Sequence, residues 1–189
     1  MVSSRHHLAA RPFPPAIFVW LAAGLAAPLI AAKGAEKAAI PTDPAQQQAL
    51  SLIKEVFGQE WADAKTNEQK QALARKLLTK AAESQDTTNR YVLLRIARDI
   101  ATQAGDGVTA FQAIDAINET FQVDAVKMKA GVLQAGAKKA RLPAEHKSLA
   151  EQSLSLVGAA VEHDDFETAT TLVDLALNEA RKAREAELV

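Results

Sequence analysis

Residues 97–117 read ARDIATQAGDGVTAFQAIDAI, and residues 158–177 read GAAVEHDDFETATTLVDLAL. Aligned at an offset of 59, they match at Ala101 and Ala160, Asp106 and Asp165, Thr109-Ala110 and Thr168-Ala169, and Asp115 and Asp174, while Ile114 meets Val173. Each copy is an apolar run of helical period, an acidic turn and a second such run. The aspartate after the turn is an N-cap, because its carboxylate can accept the unpaired N–H groups of the next helix. Gly105 stands just past a helix end, where the left-handed conformation is easiest for glycine. Ala110 and Ala169 are small where two antiparallel helices must approach. These features predict helix hairpins, each burying the open face of the last.

The same reading extends outward to about seven helices. Asp43 is read as the first N-cap, with Pro44 at the first helical position. Ala49, Leu50, Ile53, Val56 and Phe57 form the stripe of that helix, Gly58 its stop, and Trp61 falls in a turn. Thr66 and Gln69 have the spacing of a capping box, followed by Leu73, Leu77 and Ala81. The third helix is expected from about Asn89 to Ala104, with Tyr91, Leu94, Ala97, Ile100 and Ala101 on one face. Asp106 opens the fourth (Phe111, Ile114, Ile117, Phe121 inward) and Asp124 the fifth (Met128, Val132, Leu133). Gly131 and Gly136 cost that fifth helix about 1 kcal/mol each, and the expected use is close approach of a neighbour. Pro143 starts the sixth, with Leu149, Leu156, Val157, Ala160 and Val161 apolar. The seventh carries Phe166, Ala169, Leu172, Val173 and Ala176. No sustained period-two alternation occurs, so no sheet is expected.

Composition narrows the function classes. The 189 residues carry 22 Lys+Arg against 23 Asp+Glu, a net charge of -1, which does not support a strongly basic nucleic-acid binder. Aromatics are 5% and alanine dominates the apolar residues, which favours close helix packing over a β-sandwich. The absence of cysteine removes disulfides, thiolate zinc sites and thiol nucleophiles.

Residues 1–32 read as a signal peptide. Arg5 and Arg11 make a positive start, AIFVWLAAGLAA at 16–27 is an apolar run, and Pro28 breaks it before the small residues that end at Ala32. Cleavage is expected after Ala31 or Ala32. The rival reading is an uncleaved membrane anchor over 16–32, which is short for a span and holds a proline. A lipoprotein anchor is excluded, since no cysteine follows the run. Residues 33–42 read as a linker and 43–189 as the helical domain. Removal of 1–32 takes Arg5 and Arg11 and no acid, leaving 20 basic against 23 acidic residues, or -3.

Catalytic chemistry is hard to place. Beyond residue 32 the histidines are His146 and His163, and no G-x-S-x-G, P-loop or G-x-G-x-x-G occurs. No enzyme, cofactor or metal is therefore expected. His163-Asp164-Asp165 is the compact metal-like cluster, but a helix cap explains it, because Asp106 occupies the equivalent turn with no histidine. Lys138, Lys139, Arg141 and Lys147 cluster around Pro143 and read as solvated turn charges; no aromatics interleave to stack bases. Arg90, Arg95 and Arg98, on a helix with Asp99, read as its solvent face. Trp61 and Tyr91 could line a groove, and core packing is the preferred reading.

The two hairpin segments resemble tetratricopeptide-like hairpins, with Gly-Asp or Asp-Asp at the turn and Ala four residues later. More broadly, RYVLLRIARDIATQAGDGVTAFQAIDAINETFQVD at 90–124 looks like an all-helical region of exported bacterial proteins, a likeness running from about Leu50 to Lys182. The spacing departs from the regular 34-residue repeat, and the Trp-Leu-Gly and Tyr signature is absent. The resemblance implies an all-α fold of antiparallel hairpins in a tetratricopeptide-like right-handed superhelix. It also implies a protein-interaction module, exported to the periplasm or beyond, that binds a protein or peptide. Nucleic acid is not an expected partner, and membrane contact would come only through an uncleaved N-terminus. The alternative is a passive structural module of a cell-envelope protein whose effector domain is absent.

Overall fold

A computed structural model describes residues 36–187. The signal segment 1–32 and the start of the linker lie outside the described residues. Among the described residues the chain forms seven α-helices and no strand. They are α1 (Asp43–Asp63), α2 (Asn67–Glu83), α3 (Thr87–Gln103), α4 (Gly107–Thr120), α5 (Ala125–Ala137), α6 (Pro143–Glu162) and α7 (Phe166–Glu187). The all-α class and the helix number agree with the sequence reading.

Local chemistry sets most boundaries. Thr66 Oγ1 accepts the Gln69 N–H at 3.2 Å while Gln69 Oε1 accepts the Thr66 N–H at 3.0 Å, the expected capping box. Asp86, Asp106, Asp124 and Asp165 each accept a backbone N–H three residues on, at 2.7 to 3.0 Å. At the α3–α4 turn Gly105 has φ 75°, and the Asp106 N–H reaches back to the Ala101 carbonyl at 2.9 Å. The α6–α7 turn repeats this wiring, with Asp165 donating to the Ala160 carbonyl at 3.0 Å. There the left-handed residue is Asp164, φ 56°.

Two boundaries differ from expectation. Thr42, not Asp43, is the first N-cap, without a side-chain cap bond; Asp43 and Pro44 are already helical. The helix also runs through Gly58 to Asp63, so Trp61 is helical and packs on the core. A glycine weakens a helix by about 1 kcal/mol, and burying part of Trp61 offsets a cost of that size.

Consecutive helices pack against one another, most extensively α6 on α7 and α2 on α3. The first helix is the exception: α1 lies mainly on α3 rather than on α2. So α3 meets α1, α2, α4 and α5 and is the centre of the main core. Seven of its residues are buried, Val92, Leu93, Leu94, Ile96, Ala97, Ile100 and Ala101. They join Leu77, Ile114, Ile117 and Phe121 in one cluster, each such side chain contributing about 1.5–3 kcal/mol. Tyr91 meets Phe121 edge-to-face at 5.0 Å. A second cluster joins α5, α6 and α7 around Leu133, Ala160 and Leu172.

The crowding around α3 corrects the reading of its arginines as a solvent face. Arg90, Arg95 and Arg98 are all half-buried. Arg95 donates to Gln46 Oε1 of α1 at 2.6 Å, and Arg90 to the Ser84 carbonyl at 2.9 Å. Only the expected Arg98–Asp99 pair stays within the helix, at 2.6 Å.

Nor is the end of the linker free. Ala38 pairs with the α4–α5 junction, donating to the Thr120 carbonyl at 2.8 Å and accepting the Gln122 N–H at 2.9 Å. Lys37 Nζ adds a bond to Asn118 Oδ1 at 2.9 Å.

Candidate functional site

Where two helix faces fail to meet, a cleft opens. The backbones of α2 and α4 stay more than 8 Å, Cα to Cα, from that of α6, although α3 packs on α2 and α4, and α5 packs on α6. The gap is a cavity of about 590 Å³. Its floor is apolar, built from Val132, Leu133 and Leu149. Its rim is amide and hydroxyl: Asn67 and Gln71 of α2, Gln103 of α3, Ser148 and Gln152 of α6.

Two glycines shape it. A Cβ on Gly136 would stand 3.1 Å from Leu149 Cδ2, so the missing side chain lets α6 close on α5 and form the floor. Gly107 starts α4 at the rim, where a Cβ would lie 4.0 Å from Gln152 Oε1; its bareness leaves that edge open. Gly131, by contrast, has nothing within 4 Å of a Cβ and serves no close approach.

Its two charged lining residues are both committed to helix ends. Lys139 Nζ donates to the Gln103 carbonyl at 2.8 Å and the Thr102 carbonyl at 3.3 Å, where unpaired carbonyls and the helix dipole attract a cation. Glu145 Oε2 accepts the N–H groups of Arg141 at 2.7 Å and Leu142 at 3.0 Å. Those bonds hold its carboxyl below the ordinary range. The cleft therefore carries uncharged polar groups over an apolar floor; two of them are paired within the protein, Gln71 Nε2 donating to the Ala104 carbonyl at 3.3 Å and Gln152 Nε2 to Ser148 Oγ at 2.8 Å.

The basic cluster around Pro143 divides. Lys139 is part of this rim, and Arg141 Nη1 is bonded to the Ala140 carbonyl at 2.8 Å. Lys138 and Lys147 are exposed. Trp61 and Tyr91 pack against the main core.

In the metal-like turn, His163 ends α6, Asp164 carries the left-handed φ, and Asp165 caps α7 through the Thr168 N–H at 3.0 Å. Among the described residues no three His, Asp or Glu side chains converge on a common point.

The other histidine has a partner that sequence reasoning missed. His146 Nδ1 lies 2.5 Å from Glu179 Oε2, across the α6–α7 seam, and Lys182 Nζ donates to Glu179 Oε1 at 2.6 Å. Burial alone would raise the Glu179 carboxyl, yet the bonds from Lys182 and His146 outweigh it and hold the carboxyl below its ordinary value. An ionised carboxylate only accepts, so the imidazole donates from Nδ1. Among the described residues no Ser or Thr hydroxyl bonds this ring, so a base and its orienting group are present without a nucleophile. One signal was available: Glu179 falls on the stripe of Leu172 and Ala176, which makes it a buried acid in need of a partner.

Comparison with protein-family models, with curated proteins and with solved structures finds no match for this chain.

Proposed function

We propose that this chain is an exported, non-enzymatic protein-interaction module that binds an extended segment of a protein or peptide partner in the cell envelope. The carrying observation is the cleft, apolar on its floor and lined by carboxamides and hydroxyls on its rim. Side-chain amides both donate and accept, so they can pair with a peptide backbone whatever its sequence, while the floor takes apolar side chains. The hairpin repeat at 97–117 and 158–177 supports a tetratricopeptide-like stacking that presents such a surface. Export rests on the positive start and apolar run of residues 1–32. No helix among the described residues is long and apolar enough to cross a membrane.

A photo-crosslinking amino acid at Gln103, on the rim, tests the binding role. In envelope-producing cells it should give a discrete protein adduct. The same group at Gln48, exposed on α1, should not. No adduct from Gln103, or the same adducts from both positions, overturns the reading. For export, the purified protein should begin between Lys33 and Ala39; an intact Met1 in soluble cytoplasm would refute it.

A further inference from the structure

The outer face of the α6–α7 hairpin carries apolar side chains that nothing among the described residues covers. Leu154 and Val161 on α6, and Phe166, Val173 and Leu177 on α7, are between 43% and 62% exposed. Within each helix their spacing of seven or four residues places them on one stripe. Leu149 of α6 and Leu175 of α7, which face α5, lie on the other side of their helices. The stripes therefore look away from α5 and away from the cleft.

Two further observations say what covers this face. First, Gly158 lies in the α6 stripe between Leu154 and Val161, is exposed, and has nothing within 4 Å of a Cβ. A glycine inside a helix costs about 1 kcal/mol relative to alanine. Nothing among the described residues makes use of it, whereas a closely approaching outside helix would. Second, the stripes end in opposite charges. At the turn end stand Glu162, Asp164 and Glu167, all exposed. At the open end the stripes continue into Lys147, seven residues before Leu154, and Arg184, seven after Leu177, both exposed and with Arg181 beside them. Glu151 is exposed on the α6 stripe itself, four residues after Lys147 and three before Leu154, and Asp174 flanks the α7 stripe.

Among the described side chains the face is acidic at the turn end and, with Lys147, Arg181 and Arg184 against Glu151, net basic at the open end, and such a surface is complementary to itself. Turned by half a turn about an axis through its middle, a second copy sets its acidic end on the basic end of the first. Parallel alignment would set like charges together. We propose that this face docks a second copy of the chain, as an antiparallel two-fold dimer. Gly158 lets the α6 helices approach, and the paired ends fix the direction.

Sedimentation equilibrium of the protein as recovered from expressing cells, at low salt where surface charges are least screened, is the test. The expected result is a monomer–dimer equilibrium that stops at two. Gly158→Leu and Phe166→Asp alter exposed positions, so helix content should be kept, and melting should not be lowered at dilutions where the protein is monomeric, while dimer Kd rises by about tenfold or more. Arg184→Glu alone and Glu167→Lys alone should each weaken the dimer. An equal mixture of those two variants should associate better than either by itself, because every end then meets its opposite. A monomer at all concentrations overturns the proposal and leaves the face to a different partner. Association beyond two, a dimer indifferent to Gly158→Leu and Phe166→Asp, or no gain on mixing overturns it as well.

Discussion

His146, the fourth residue of α6, and Glu179, the fourteenth of the 22 residues of α7, share a hydrogen bond of 2.5 Å, with the Glu179 side chain 1% exposed. A carboxylate this dry is costly unless its oxygens are occupied. Here both are, Oε2 by His146 and Oε1 by Lys182. The pair pins the open end of the hairpin, at the far end from the covalent turn at 163–165.

Glu179→Gln should therefore cost about 1–3 kcal/mol at neutral pH, the price of leaving buried polar groups mismatched. The pH dependence has a definite sign. The folded carboxyl sits below its ordinary value of 4.5, so its stabilisation is fully present above that pH and fades as pH falls through the lower, folded value. Denaturant melts of wild type and Glu179→Gln should differ near neutrality, begin to draw together only as pH falls below 4.5, and converge below the lower, folded value. A gap that stays constant down to acid unfolding would show that the ion pair is not its source.

The turn aspartates give a second, graded expectation. Asp165→Ala should lose about 0.5–2 kcal/mol and Asp165→Asn little, since asparagine caps as well. Asp106 has more to lose. Its Oδ2 accepts the Thr109 hydroxyl at 2.7 Å and Arg75 at 3.1 Å. Burial would raise its carboxyl, but Thr109 and Arg75 together lower it. Asp106→Asn should thus be more damaging than Asp165→Asn in thermal melts. Chelator should leave the melting point of wild type unmoved; a drop that His163→Ala abolishes would make the turn a metal site.

The two left-handed residues should respond oppositely to exchange. Asp164→Gly relieves a φ of 56° and should stabilise by up to about 1 kcal/mol, less the added freedom of the unfolded chain. Gly105→Ala imposes a side chain at φ 75° and should cost about 1–2 kcal/mol. Chemical denaturation of both variants checks the pair. The same sign for both would mean that the turns are not equivalent.

Ala110 is fully buried in the main core and Ala169 nearly so in the second cluster. Leucine at either should overpack the hairpin and cost about 1–3 kcal/mol. Tolerance at both positions in thermal melts would make the repeat at offset 59 a coincidence of sequence.

Thr66, Asp106, Asp124, Pro143 and Asp165 could be placed by reading alone, because a cap bond joins residues three apart and needs no partner from elsewhere. Gly105 and the apolar periods belong to the same local class, and with them the helix number and the all-α class. Tertiary packing decided everything that depends on how many neighbours a helix has. Arg95 became half-buried because α1 crosses onto α3 and Gln46 accepts its bond, whereas Arg90 turns back to the Ser84 carbonyl and Arg98 lines a cavity beside Met128 and Val132 of α5. Val173 is exposed where its repeat mate Ile114 is fully buried, because α4 has helices on both sides and, among the described residues, no further helix covers α7. His146 and Glu179 are 33 residues apart, beyond any local signal. The cleft exists because α6 packs on α5 while its backbone stays more than 8 Å, Cα to Cα, from that of α4. Hydrogen bonds within one turn are written in adjacent residues, whereas burial is a property of the space between helices, and that space is defined only once the chain has folded.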